Sequence, residues 1–227
     1  MRTDGARPLW RSVAVGAAIL SFGLLAYAMQ TGAITAFDDR IIALFRVAGE
    51  PTRLLGPAWV QEMGRDVTAL GSLVFLGLVT AVALGYFALT EQMAAAGELM
   101  ASGASGTAGA FGLKLLFDRP RPDIVHLART FTSSFPSGHA TLSVAVFLTL
   151  AAIVSRHQTR TAVRAYVFAM TSLLIAAVGL SRVYLGVHYP SDVLAGWALG
   201  LVCAIASATC VAAWRAAPRP SPTGSKG

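Results

Sequence analysis

The chain has 227 residues, 55% of them hydrophobic and 13% charged, with a net charge of +7. Soluble domains carry about twice that share of charge, so a mean hydropathy of +0.63 argues against an ordinary soluble domain and for an integral membrane protein. The basic excess does not indicate nucleic acid, because the cations stand at the ends of apolar runs, where they orient a protein in a bilayer or meet anionic lipid, and no basic face interleaved with aromatics is present.

Arg2, Arg7 and Arg11 precede a charge-free run from Ser12 to Phe37. That run is long enough to span and lacks a clear small-residue cleavage site, so a first span is expected from Leu9 to about Thr31, retained as a signal anchor. From Phe37 to Asp66 the chain is mixed: Ile41, Ile42, Leu44, Phe45 and Val47 alternate with Asp38, Asp39, Arg40 and Arg46 at helical spacing. It reads as a short interfacial helix, and its balanced acids and bases assign it no chemistry. A second span is predicted over Val67 to Thr90, with Glu91 at a tight turn and a third span from about Met93 to Phe117. Gly103, Gly106, Gly109 and Gly112 recur every third residue there, which suits a helix closely packed in the middle of a bundle. Pro120 and Pro122 end it.

A polar connection, Asp118 to Pro136, leads to a fourth span from Ser137 or Gly138 to Val154. After a basic turn of Arg156, His157, Arg160 and Arg164, the fifth span is expected over Ala165 to Leu180 and the sixth over Ser191 to Trp214. The expected fold is an all-α bundle of six spans in one domain, 1–215, with a Pro/Ser/Gly-rich tail, 216–227, expected to be disordered. Cys203 and Cys210 lie seven apart in one apolar run, roughly 10 Å of helical rise, too far for a disulfide with each other. They read as small apolar core residues, and no Cys/His spacing suits zinc. With Lys114, Arg119, Arg121 and Arg182 set aside as functional and the long first loop discounted, the Lys/Arg bias puts both termini in the cytoplasm and the site outside.

Six alternating spans bring four helix ends to one side of the membrane, and three charged clusters fall at those ends. The first is Lys114 with Arg121-Pro122, the second Pro136-Ser137-Gly138-His139, and the third Arg182, His188 and Asp192. Lys114, Arg121 and Arg182 supply cations, and arginine can grip phosphate oxygens through two donors at once. Ser137 offers a hydroxyl, and the amides of Gly138 and His139 open a helix whose dipole favours an anion. Of the two imidazoles, one can attack phosphorus while the other protonates the leaving oxygen. The four-residue spacing of His188 and Asp192 leans toward His188 as the attacker, since a carboxylate on one ring nitrogen fixes the tautomer. Asp118 and Asp123 sit among arginines and look like their partners, so no carboxylate cluster is there to hold Mg²⁺, and the cations stand in for a metal.

Lys114-(six residues)-Arg121-Pro122, Pro136-Ser137-Gly138-His139 and Ser181-Arg182-(five residues)-His188-(three residues)-Asp192 resemble the three signatures of the type 2 phosphatidic acid phosphatase family, whose superfamily also holds the vanadium haloperoxidases. The resemblance implies that His188 is the nucleophile, forming a phosphohistidine, with Asp192 orienting it and His139 protonating the leaving group. It implies phosphate binding by Lys114, Arg121, Ser137, Gly138 and Arg182, with no cofactor and no metal. The implied activity is a lipid phosphate or diphosphate phosphatase of a bacterial inner membrane, acting on undecaprenyl diphosphate, phosphatidylglycerol phosphate, phosphatidic acid or lipid A phosphates. Its partners are then the substrate and membrane lipids, with no nucleic acid and no obligate protein partner. A lipid phosphotransferase using the same site is the alternative. A haloperoxidase or a phosphate-lipid transporter ranks lower, because the former are soluble and the latter carry broken helices at the midplane. Arg119 is balanced between touching phosphate and pairing with an Asp or a headgroup. Arg129, Asp123, His126 and His157 read as structural, and Tyr184 and Tyr189 as interface anchors.

Overall fold

The structure is a computed structural model and describes residues 6–122 and 132–217. Asp123, His126, Arg129 and the tail beyond Ala217 lie outside the described residues. The chain is mostly helical. Helix α1 (Ala6–Gln30) leads into α2 (Thr35–Ala43), a hairpin of β1 (Arg46–Val47) and β2 (Glu50–Leu54), and helix α3 (Ala58–Ala69). Then come α4 (Leu73–Leu89) and α5 (Met93–Leu116). Past the connection, α6 (Gly138–Ser143) continues through a π turn, Val144–Leu148, into α7 (Thr149–Arg156). Helices α8 (Thr161–Tyr184) and α9 (Pro190–Ala216) complete the bundle.

Two expectations need correction. The stretch 37–66 is not one interfacial helix but a helix, a hairpin and the start of α3. Gly49 turns the hairpin at φ +80°, Pro51 within β2 breaks helical spacing, and Gly56 at φ +102° follows the strand. The second span is not continuous either: α3 and α4 meet at a bend of 47°. Ser72 starts α4 afresh by accepting the Phe75 N–H at its hydroxyl, 3.2 Å, as an N-cap does. Gly71 at the bend is needed for close packing, since a Cβ there would stand 2.4 Å from the Val178 side chain and 3.3 Å from that of His139.

Among the described residues four helices are long and apolar enough to cross a membrane, or five if the bent α3–α4 pair is one span. Helix α5 is not among them, because Gly, Ser and Thr make it less apolar. The chain is nevertheless built as an integral membrane protein: long helices turn large apolar side chains such as Leu20, Leu24, Val82, Leu89 and Leu173 outward.

Packing brings the ends of α6, α8 and α9 together. Helix α9 crosses α6 at Gly196 and Gly200, where a Cβ would lie 2.7 Å from the Ser137 carbonyl oxygen and 2.5 Å from that of Thr141. A buried cluster of Ile42, Ala140, Val183 and Val193 ties α2, α6, α8 and α9 together beside this contact. On the other flank Phe117 and Phe135, ring centroids 5.1 Å apart, pack on Phe22 of α1 and hold both ends of the 117–137 connection. Helix α5 is bound in by polar contacts, which substitute for side-chain bulk in small-residue helices. Ser102 donates to the Ala145 carbonyl within the π turn, 2.8 Å, and accepts from Thr149, 3.0 Å. At the far end of the bundle buried Glu98 takes two bonds from Arg156, at 2.5 and 2.6 Å. Gly196→Ala is expected to force α9 off α6 at an overpacked contact costing about 1–3 kcal/mol, read as a lower midpoint of thermal unfolding in detergent.

Candidate active site

Each candidate residue sits at the end of an element. Lys114 lies in the last turn of α5 and Arg182 in the last turn of α8, so the fifth span runs one turn beyond its expected limit of Leu180. Gly186, at φ +72°, reverses the chain after α8 and delivers His188. Helix α9 then starts with Pro190 at its first position, where the missing N–H costs nothing. Asp192 reaches back from that first turn to accept the Tyr189 N–H at Oδ2, 2.9 Å, the reciprocal half of a capping box. The carboxylate is therefore anchored by helix initiation itself. The backbone ties the second cluster to the third, since Ser137 N–H donates to the Asp192 carbonyl at 3.0 Å.

The three sequence clusters do meet. His139 lies within electrostatic reach of Arg182, His188, Arg121 and Lys114, and Lys114 within reach of Arg121, Asp192 and Arg182. Lys114 Nζ donates to the Ser133 carbonyl at 2.5 Å. Arg121 is held by the Thr132 carbonyl (3.1 Å), the Val187 carbonyl (2.9 Å) and the Thr132 hydroxyl (3.2 Å). Its Nη1 also lies 3.3 Å from His188 Nε2. Arginine can only donate, so this contact requires a lone pair on Nε2 and puts the ring proton on Nδ1. His188 Nδ1 faces Asp192 Oδ2 at 3.4 Å, ion-pair distance without a formed hydrogen bond. Arg182 Nη1 donates to the Thr68 hydroxyl at 2.9 Å, while its Nε is buried without a partner. The Ser137 hydroxyl is likewise buried and unpaired. Unpaired buried polar atoms are uncommon enough to require a reason, and the Ser137 hydroxyl, Arg182 Nε and His188 Nδ1 all belong to these three clusters.

His188 is almost wholly buried, and burial pushes its imidazole down to about 3. Arg182 and Arg121 add to that effect, and Asp192 opposes it. The ring is thus neutral at physiological pH. Burial also lowers the Arg121 guanidinium against the pull of Asp192.

Two residues went unassigned in the sequence and are central here. Arg119 does not reach toward the phosphate cluster but bridges two buried carboxylates, Asp38 at 2.7 Å and Asp192 at 2.6 Å. Asp38, taken in the sequence as one of several balanced interfacial charges, is completely buried. Nothing in local spacing links position 38 to 119. The faint signal is its place among Ile41 and Ile42, on the apolar side of α2.

Cations, buried unpaired polar atoms and two imidazoles come together at one end of a membrane-type helical bundle, an arrangement suited to an anion. The PAP2 superfamily matches residues 75–216, which is more than half of the chain, and the protein belongs to that superfamily. It is 30% identical over 185 residues to phosphatidylglycerophosphatase B of Bacillus subtilis (strain 168), covering 81% of this chain and 87% of that protein. A lipid A 1-phosphatase of Rhizobium etli is 30% identical over 71% of this chain and 78% of its own. The crystal structure of a transmembrane PAP2 type phosphatidylglycerolphosphate phosphatase from Bacillus subtilis superposes with a TM-score of 0.77 at 26% identity, over 86% of this chain and 94% of that one. The chain is a phosphatase of this superfamily.

Proposed function

We propose that the protein hydrolyses a phosphomonoester or diphosphate carried by a membrane lipid, through a phosphohistidine on His188. The observation that carries this reading is the convergence of Lys114, Arg121, His139, Arg182 and His188, with Asp192 behind the last. Arg121 adjoins the attacking nitrogen, so a phosphoryl group gripped by Arg121 is brought in line with Nε2. In the first step the Nε2 lone pair forms the N–P bond as the P–O bond to the lipid breaks, and His139 gives its proton to the departing oxygen. In the second step His139 takes a proton from water, which attacks phosphorus, releases inorganic phosphate and returns the electron pair to Nε2. Lys114, Arg121 and Arg182, with the Ser137 hydroxyl and the Gly138 amide, stabilise the charge on the transferring group. The unpaired Arg182 Nε and Ser137 hydroxyl are donors suited to its oxygens.

Apolar helices around a cationic mouth support an amphiphilic substrate, with its head at the site and its tail in lipid. In this reading α5 also crosses, bringing the crossings to six, both termini are cytoplasmic and the site faces the exterior of a bacterial inner membrane. Phosphate release by purified protein from phosphatidylglycerol phosphate, phosphatidic acid, undecaprenyl diphosphate and lipid A is the test. We expect turnover of at least one lipid at an undiminished rate in excess EDTA. Failure on all of them, or a rate abolished by the chelator, would overturn the reading.

A further inference from the structure

Asp38 and Arg119 have no role in the chemistry above, yet both are buried and both lead to Asp192. From α2, Asp38 Oδ1 accepts the Ser191 N–H at 3.0 Å, and Oδ2 accepts the Ser191 hydroxyl at 2.5 Å and Arg119 Nη2 at 2.7 Å. Arg119 Nη1 donates to the Ser191 hydroxyl at 2.8 Å and to Asp192 Oδ1 at 2.6 Å. Its guanidinium lies 4.1 Å from the Tyr189 ring centroid, so the plane of the fork is fixed from a third side. Each oxygen of Asp192 has a separate task. Oδ1 belongs to Arg119, while Oδ2 takes the Tyr189 N–H and faces His188.

A carboxylate rotates readily about its last bond. Held only by the Tyr189 amide, Asp192 could turn Oδ2 away from the imidazole; the second hold on Oδ1 removes that freedom. Charge matters as well. A lone guanidinium against Asp192 would cancel much of its field at His188, whereas one shared with Asp38 leaves the trio Asp38–Arg119–Asp192 with a net negative charge. Burial lowers the Arg119 guanidinium, but Asp192 and Asp38 outweigh it and keep that cation charged.

We propose that Asp38 and Arg119 are positioning residues for the His188–Asp192 pair: Arg119 locks the rotation of the Asp192 carboxylate, and Asp38 holds Arg119 and offsets its charge. The proposal rests on His188 being the nucleophile. Among the described residues the charged and titratable groups around His188 include Lys114 of α5, Arg119 and Arg121 of the connection, His139 of α6, Arg182 of α8 and Asp192 of α9, with Asp38 of α2 behind Arg119.

The test uses the full chain in detergent micelles, with phosphatidic acid or whichever panel lipid the wild type hydrolyses fastest. Asp38→Asn, Arg119→Gln, Arg119→Lys and the double variant Asp38→Asn/Arg119→Gln are compared. Each single variant is expected to lose about 10- to 100-fold in kcat with KM within about threefold, the pattern of an interaction used in the transition state. Lysine at 119 restores little, because a single ammonium cannot fork between two carboxylates. The discriminating sign comes from the acid limb that His188 itself sets, well below pH 6. Without Arg119 the Asp192 carboxylate acts unshared on the imidazole, so the limb in Arg119→Gln moves to higher pH. Without Asp38 the guanidinium acts wholly on Asp192, so the limb in Asp38→Asn lies no higher than in the wild type. A purely structural role would not separate the two limbs in this order. The double variant removes one buried charge of each sign and keeps the net charge beside His188, so it can be measured even where a single variant fails to fold; its kcat also stays at least tenfold down. Wild-type kcat in the double variant, losses confined to KM or thermal stability, or limbs that move together would overturn the proposal. An active His188→Ala would instead remove the reading beneath it.

Discussion

His188→Ala is expected to show no measurable turnover, a loss of at least about ten-thousand-fold, because the proposed covalent route ends with its nucleophile. Neighbouring groups do not replace it. Arg121 and Arg182 cannot act as bases, since guanidinium stays protonated, and Asp192 has both oxygens engaged. Substrate binding should survive, because the cations remain, so the variant should act as a trap that still protects against thermal unfolding when lipid phosphate is added. Wild type given ³²P-labelled substrate and quenched in alkaline detergent should yield acid-labile, base-stable label on His188 and none in the variant. Label on His139 would reverse the assignment. The depressed imidazole has a further effect on stability. Between its ordinary value near 6.5 and the folded value of about 3, the unfolded chain takes up a proton at His188 that the folded chain does not. Acidification through that window therefore destabilises the fold. It leaves the nucleophile neutral, so an acid limb near pH 6 would belong to another group.

The second large effect is expected at His139. His139→Ala should lose about 100- to 10,000-fold in kcat on a lipid substrate, the usual range for removing a general acid–base. Leaving-group chemistry separates this loss from a packing defect. An alkoxide needs a proton as it departs, whereas p-nitrophenolate does not. With p-nitrophenyl phosphate the variant should still form the phosphohistidine, and its release by water should become the slow step. A burst of nitrophenolate stoichiometric with enzyme, followed by slow turnover, is the expected trace. Absence of a burst, with equal losses on both substrates, would mean that His139 acts before the P–O bond breaks, as a binding group. Gly71 lies close to this ring, and packing against the α3–α4 bend is part of what aims it.

How far the sequence could be read divides along sequence distance. Lys114, Arg121, Ser137, His139, Arg182, His188 and Asp192 were legible because each stands in a short spacing at a helix end, and helix ends follow from apolar runs. The start of α9 was legible for the same local reason, since Pro190 and Asp192 are a helix-initiation signal by themselves. The Asp38–Arg119 pair was not, because its partners lie 81 residues apart and each sits among other charges. The bend at Gly71 was hidden inside a continuous apolar run: hydropathy records how wet a segment is, not which way it points. The hairpin was hidden by the opposite circumstance, because Val47 and Leu54 among charges satisfy a helical and an extended reading equally over so few residues. Helix α5 had its Gly stripe recognised as a packing feature, and Gly106 does meet Ala145 and Gly109 meet Leu199, while Gly112 faces open space. The small residues that suit it to the interior also reduce the apolar character by which a crossing is counted.

The hold on Lys114 and Arg121 comes largely from main-chain oxygens, those of Ser133, Thr132 and Val187. A carbonyl is present whatever residue carries it. Side chains along that rim can therefore change while the hold on these two cations keeps its shape. A scaffold of this kind lets the preference for one lipid over another diverge without rebuilding the machinery that breaks the bond.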